Sequence, residues 1–364
     1  MNEHKKIGLL EIAKLANVSL GTVDRAMHNR RGVSRNTQKR ILSIANQLGY
    51  QPNLAARALS TGPASISVGV CIPREIRYYF DQLRDGILDE AKRFEHLGLH
   101  LHYAPLERLG AGENAALAAM IDRNPRALVI TPGNPEKLTP LINEAESRNI
   151  RVVCLDSDAP LSKRTTAVCV DAEAGGRMAA ELLGRFVAPG SQVAVVTGTL
   201  EAEDHRDRTT GFSDLFKHIC PGGQVAEIVE DHDDEREAYQ KCYCMLQEKT
   251  DISGIYITTA NCLPVCQAVI ALNLSQKIKV LASDLFLEMK PYFDMGLVVA
   301  SIYARPFVQG RMAIRLIMEH LLRGRRLRSK YYIAPEVVLR STLHLFRETR
   351  AQRRSALSLK TAGE

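Results

Sequence analysis

Apolar positions change their period once along this chain, near residue 62. Before that point they recur at helical spacing. Ile12, Ala13, Leu15 and Ala16 make one stripe, Val23, Ala26 and Met27 a second, and Ile41, Ile44, Ala45 and Leu48 a third. Ala16-Asn17-Val18 reads as the turn between the first two helices, because Asn tolerates a left-handed backbone. Ser19 and Ser34 stand where N-caps belong, and Gly49 where the third helix should end. Short helices joined by so tight a turn predict a helix-turn-helix, whose second helix enters the DNA major groove. The outward positions Leu20, Gly21, Thr22, Asp24, Arg25 and His28, with Ser19 at the cap and Arg35 on the third helix, are the candidate DNA contacts. A plain helical bundle is the alternative.

Beyond Gly62-Pro63 the pattern alternates between strands and helices. Short β-rich runs fall at 67–72, 99–103, 127–130, 152–155, 193–196, 254–258, 279–282 and 298–303. Amphipathic segments at 80–97, 136–148, 174–186 and 308–322 lie between them. Such alternation means α/β architecture with parallel sheets covered on both faces. Eight or more strands point to two doubly wound sheets, hence two lobes. The expected organisation is a helix-turn-helix domain at 1–52, a hinge helix and linker at 53–65, a two-lobed domain at 66–346, and a basic tail at 347–364.

Charge decides between DNA binding and a plain bundle. Residues 1–62 hold ten Lys/Arg against three acids, which equals the formal +7 of the 364-residue chain, so the remainder is balanced. Basic charge gathered on the helical segment is the footprint of phosphate binding. A second basic stretch runs from Arg323 to the end and reads as a solubilising tail rather than a further DNA contact.

Composition narrows the remainder. A hydrophobic content of 45% suffices for sizeable cores. No apolar run is long enough to span a bilayer and none suggests a signal peptide, so a cytoplasmic protein is expected. The eight cysteines include two close pairs, Cys242/Cys244 and Cys262/Cys266, without the spacing of a zinc site. Cys71, Cys154 and Cys169 sit in apolar runs and read as buried free thiols. No metal and no other cofactor is expected.

Ligands in doubly wound folds bind at the carboxyl ends of strands. The polar residues there are Pro73-Arg74 through Arg77-Tyr78-Tyr79-Phe80, Asp156-Ser157-Asp158, Gly198 through Arg208, Thr259-Ala260-Asn261, Ser283-Asp284 and Tyr303-Ala304-Arg305. This is a binding inventory, with no P-loop, nucleophile motif or dinucleotide fingerprint. Asp156 and Asp284 could form an acid/base pair but suit gripping hydroxyls equally well. A non-enzymatic binding role is expected.

The segments LLEIAKLANVSLGTVDRAMHN, GVSRNTQKRILSIANQLGYQPN and LAARAL resemble the lactose-repressor (LacI) family of bacterial transcription regulators. The resemblance implies that Leu20, Gly21 and Arg25 read bases, Arg25 by a bidentate pair with guanine. It also implies a hinge helix carrying Asn53, Ala56 and Arg57, with Leu59 as the minor-groove wedge. Asp24 replaces the serine usual in the family. Residues 66–345 resemble, less tightly, the ribose-type periplasmic sugar-binding proteins, implying two lobes, three crossovers and a ligand cleft. On that resemblance Tyr79 and Phe80 fall where rings stack on a sugar, and Asp156, Arg208, Asn261 and Asp284 fall on hydroxyl-binding positions. Arg77 and Arg305 replace common amides, which would suit an acidic or phosphorylated sugar. The implied function is a repressor, homodimeric on a pseudo-palindromic DNA operator and controlled by a carbohydrate-like effector. The rivals are a transport-type sugar-binding protein and a sugar-modifying enzyme with a DNA-binding head.

Overall fold

The computed structural model describes residues 9–27, 31–48, 66–74 and 76–344. The expected DNA contacts His28, Asn53, Ala56, Arg57 and Leu59, the hinge segment and the basic tail lie outside the described residues. The chain forms two compact units, Met1–Ser65 and Ile66–Glu364.

In the first unit the three helical stripes become α1 (Leu9–Ala16), α2 (Leu20–Met27) and α3 (Arg35–Gln47). Asn17 takes the left-handed conformation at φ 48° and closes α1. The Val18 amide donates to the Ala13 carbonyl at 3.1 Å and the Asn17 amide to Lys14 at 3.2 Å, the paired bonds of a Schellman end. Ser19 Oγ accepts from the Thr22 amide at 3.2 Å, and Ser34 Oγ from the Thr37 amide at 3.2 Å, so both serines cap as their positions predict. The helix C-termini borrow donors from α3: Arg40 Nη2 reaches the Ala16 carbonyl at 2.9 Å and Gln38 Nε2 the Ala26 carbonyl at 3.2 Å. Ile12, Ala16, Val23, Ala26 and Ile41 pack into one small core. Alanine at two of these positions lets the helices cross closely.

The second unit holds two six-stranded sheets. In chain order the strands are β1 (Ile66–Pro73), β2 (Leu99–Leu106), β3 (Ala127–Ile130), β4 (Arg151–Asp156), β5 (Thr166–Val170), β6 (Gln192–Thr197), β7 (Gln224–Glu230), β8 (Ile252–Ile257), β9 (Lys279–Ser283), β10 (Val298–Tyr303), β11 (Lys330–Ile333) and β12 (Glu336–Val338). The first sheet runs β11-β5-β4-β3-β1-β2 and is parallel throughout; the second runs β12-β10-β9-β8-β6-β7 and is parallel except for β12. Helices α4 (Arg77–Ala91), α5 (Glu113–Asp122) and α6 (Pro135–Ser147) belong to the first lobe. Helices α7 (Ala172–Leu183), α8 (Glu203–Ile219), α9 (Glu235–Glu248), α10 (Cys262–Ala271) and α11 (Lys290–Asp294) belong to the second. Helix α12 (Pro306–Arg323) packs back on α4 in the first lobe. The chain therefore crosses between lobes three times, at 171, 304–305 and 334–335, the number the family resemblance implies. Among the described residues no helix is long and apolar enough to cross a membrane.

All eight expected strands are present, and four more that the pattern did not mark: β5, β7, β11 and β12. Strand β7 is half-exposed at a sheet edge and carries Glu227 among its apolar residues. Strand β11 lies inside the basic C-terminal stretch, where charge masked four residues of strand.

The two lobes use the same device to seat a helix pair. A Cβ on Gly86 of α4 would lie 2.1 Å from the Phe307 carbonyl oxygen of α12, and one on Gly310 only 2.2 Å from that of Leu83. In the second lobe a Cβ on Gly176 of α7 would lie 2.1 Å from the Arg208 carbonyl oxygen, and one on Gly211 of α8 only 2.3 Å from that of Glu173. Only glycine permits this backbone-to-backbone approach. Replacing Gly211 by valine should cost about 1–3 kcal/mol or more, because the backbone must move. Urea unfolding should show a lower midpoint for Gly211→Val; an unchanged midpoint would contradict the packing.

Candidate DNA-reading helix and interlobe effector site

On α2 the buried positions are Val23 and Ala26, and the opposite face is left to solvent. Leu20 is 46% exposed, and Ser19, Gly21, Arg25 and, at the start of α3, Arg35 are exposed as well. Thr22 and Asp24 are partly covered, Thr22 through its 2.9 Å hydroxyl contact with Ser19. The described part of the expected recognition face is thus one contiguous surface, with an exposed leucine and an arginine among its polar groups.

In the second unit the carboxyl ends of the two sheets face one another. Strand β4 ends at Asp156 and β9 is followed by Asp284, both in the left-handed region at φ 73° and 63°. Asp tolerates this conformation better than most residues, and its occurrence at matching strand ends turns both carboxylates into the space between the lobes. The Tyr79 hydroxyl donates to Asp156 Oδ1. Asp284 Oδ1 accepts from the Ala304 amide at 3.2 Å, which ties it to the second crossover.

Helix α8 adds Asp204, His205 and Arg208 on one face, all buried. Arg208 Nη1 donates to the Thr258 carbonyl at 2.7 Å, and its Nη2 lies 3.4 Å from Asp204 Oδ2. The loop after β7 contributes Asp231 and Asp233; Asp231 accepts from Asn261 Nδ2 at 3.1 Å and from the Asp233 amide at 2.9 Å. Gly198 admits both His205 and Asp233, since a Cβ there would lie 2.6 Å from the imidazole and 2.7 Å from the carboxylate.

So dense a set of acids cannot stay fully ionised in isolation. Burial pushes Asp284 up to about 6 despite the nearby Arg208, and burial with the neighbouring Asp233 pushes Asp231 up to about 7. Asp156 is raised by burial and by Asp204. For His205, burial works against the charge, but Asp204 and Asp233 outweigh it and raise the pKa. Its Nδ1, however, accepts the Thr199 amide at 3.1 Å, so in this arrangement the ring is neutral and its Nε2–H faces Asp204 at 3.8 Å.

The lobes touch around this cluster. Arg108 pairs with Asp234 at 2.6 Å, Asn134 Nδ2 donates to Glu201 at 2.5 Å, and the Tyr303 hydroxyl donates to Gln82 at 2.8 Å. Tyr78 stacks on Phe286 with centroids 4.0 Å apart. Lys330 joins Asp158 of its own lobe at 2.9 Å to Glu203 of the other at 3.5 Å.

Of the expected effector residues, Tyr79, Asp156, Arg208, Asn261 and Asp284 come together. Phe80 is buried beside them, edge-on to Tyr79 at 5.3 Å. The two substituting arginines do not join: the Arg77 side chain is 86% exposed beside Asp81, and Arg305 pairs with Glu336 at 3.1 Å. Arg77 stands at the exposed start of α4, and Arg305 has a left-handed backbone just before α12, so both side chains leave the cluster. The positive charge that suggested an acidic sugar is therefore absent from the buried group. Asp204, His205, Asp231 and Asp233 were missed as site residues. The acidic run after β7 was the available signal, and it reads as a solvated loop until the lobe folds over it.

A helix-turn-helix unit with an exposed reading face, followed by two lobes closing on a buried polar cluster, defines a DNA-binding protein that also binds a small molecule. Comparison with known proteins agrees. The periplasmic binding protein domain matches residues 68–326, and the bacterial regulatory proteins of the lacI family match residues 8–53. The chain belongs to the lacI family of bacterial transcription regulators and carries a periplasmic-binding-protein domain. It is 35% identical over 96 residues to catabolite control protein A of Streptococcus mutans, covering 26% of this chain and 28% of that one. It is 22% identical over 345 residues to the transcriptional repressor PurR of Aliivibrio salmonicida, covering 92% and 98%. Among solved structures, GanP, a glucose-galactose binding protein of Geobacillus stearothermophilus, matches with TM-score 0.71 and 25% identity over 77% of this chain and 99% of that one. A Burkholderia graminis solute-binding protein in complex with D-arabinose matches in fold with TM-score 0.70 and 22% identity, over 76% and 96%.

The raised carboxylates make stability depend on pH. An aspartate titrates near 3.9 when unfolded. Between there and the folded values near 6 and 7, the native state holds more protons, so stability falls as pH rises through that window. The ligand-free protein should melt at a lower temperature at pH 8 than at pH 5.5, and Asp231→Asn should shrink that difference. An equal difference in the variant would show that Asp231 is not one of the groups responsible.

Proposed function

We propose that this regulator binds a pseudo-palindromic operator as a homodimer and is a repressor whose hold on DNA is set by a carbohydrate-type effector between its lobes. The observation that carries the reading is the pairing of the α2 face with the buried Asp156/Arg208/Asn261/Asp284 group at the strand ends. Carboxylates, an amide and a guanidinium supply the bidentate hydrogen bonds that adjacent hydroxyls require. One helix-turn-helix reads a single half-site, so two copies are needed for affinity and spacing.

The proposed mechanism is a change in lobe relation. The lobes are joined by three short crossovers, one of which is tied to Asp284 through the Ala304 amide. An effector that engages Asp156 from one lobe and Arg208 and Asp284 from the other alters the free energy of closure. Through the hinge segment this would bias the separation of the two DNA-reading units. Linkage requires operator and effector to change each other's affinity by the same factor. The reaction is one of binding, without chemical turnover of the effector.

Arg25→Ala should lower operator affinity by about 1–3 kcal/mol, the worth of a bidentate base pair contact, and leave effector binding of the free protein unchanged. Asp284→Ala should bind operator normally but lose the response to effector. Fluorescence anisotropy with labelled operator, with and without effector, reads both. Loss of effector binding in Arg25→Ala would count against two separable modules.

A further inference from the structure

We infer that the effector is a polyhydroxylated amine, such as an amino sugar, rather than a neutral or an acidic carbohydrate. This rests on the proposed effector site and specifies its chemistry. The buried cluster sets Asp156, Asp204, Asp231, Asp233 and Asp284 against the guanidinium of Arg208 and the neutral ring of His205. Part of the Arg208 donor set is taken by the Thr258 carbonyl and by Asp204, which already matches part of its charge. The arginines that would have welcomed an anion, Arg77 and Arg305, lie elsewhere. An anionic ligand would enter a field of its own sign.

A second observation points the same way and does not depend on charge. Asp204 Oδ1 and Asn261 Oδ1 are buried without a hydrogen-bond partner, in residues 7% and 0% exposed. Both atoms only accept, so what they lack is a donor. An unpaired acceptor of this kind is costly and calls for a partner. An ammonium group brings three donors and no acceptor, and it neutralises a carboxylate as it bonds. A hydroxyl can supply a donor but leaves the aspartates repelling one another.

The adjoining space has the same character. A cavity of about 80 Å³ is lined by Asp156, Asp158, Glu203, Asp204 and Asp207, with Lys330 bound to Asp158 and Glu203. An ammonium group and its attached carbon fit such a space, since a single water needs only about 10–15 Å³ on the same measure. Among the described residues no group of three or more His, Cys, Asp or Glu is disposed to hold a metal ion, so an organic cation is the better fit.

The test uses the full chain and calorimetry over a panel of pentoses, hexoses and hexitols, each offered as neutral compound, amine and acid. The expected result is one amine bound at least about tenfold more tightly than its neutral parent, a gap of 1.4 kcal/mol, with its acid not bound. Asp204→Asn should narrow the amine-to-neutral gap to within about threefold, and Asp156→Asn serves as a second variant if the first melts early. A neutral or acidic member binding as tightly as its amine overturns the inference and leaves the carbohydrate effector standing. No binding by any member overturns both.

Discussion

The buried guanidinium of Arg208 is the contact on which the ligand-binding unit is organised. Asp204 lies 3.4 Å from it, and Asp156 and Asp284 are near enough for its charge to hold their titration down. Without that charge the carboxyl ends of the two sheets would confront each other with acids alone. With it they meet, but incompletely: the aspartates still titrate high and two acceptors remain unpaired. A buried polar network that is only partly satisfied is a poor stabiliser of the empty protein. It is a good receiver for something that completes it.

How Arg208 comes to be there follows from backbone packing. Gly176 and Gly211 let α7 and α8 approach until their carbonyl oxygens sit where side chains would otherwise be. That fixes α8, and the turn-and-a-bit from Asp204 to Arg208 then presents acid and base on one face. The same crossing is repeated in the first lobe by Gly86 and Gly310, where it fixes α4 and hence Tyr79. Each lobe delivers its site residues from a helix anchored by glycine and a strand ending in a left-handed aspartate. The two halves are built alike and become one site only by facing each other.

Cross-lobe contacts among the described residues are mostly polar: beside the Tyr78–Phe286 stack stand Tyr303 with Gln82, Asn134 with Glu201, and the ion pairs of Arg108 with Asp234 and Lys330 with Glu203. Partly exposed ion pairs of this sort contribute little, commonly below about 1 kcal/mol each. The lobes are therefore held by contacts that a ligand's own binding energy can rival. Such a balance is what an effector-controlled device requires, since a ligand shifts an equilibrium only by its differential affinity for the two states.

The helical stripes, the serine caps, Asn17 and the crowding of basic residues before residue 62 identified the DNA-reading unit from sequence, because every one of these signals is local. Eight of the twelve strands were equally legible, being short apolar runs with no competing pattern. Asp156, Arg208, Asn261 and Asp284 were singled out because the strand pattern put them near carboxyl ends and the resemblance put them on hydroxyl-binding positions. What the sequence could not decide was which charges meet. Arg77 and Arg305 stand next to site residues in the chain yet turn outward, while Asp231 and Asp233, from a loop that reads as solvated, are folded in. Strand β11, hidden in a basic run, carries Lys330 to Asp158. Charge in the cleft is a sum over distant segments, and that sum is set only when the lobes are folded and face one another.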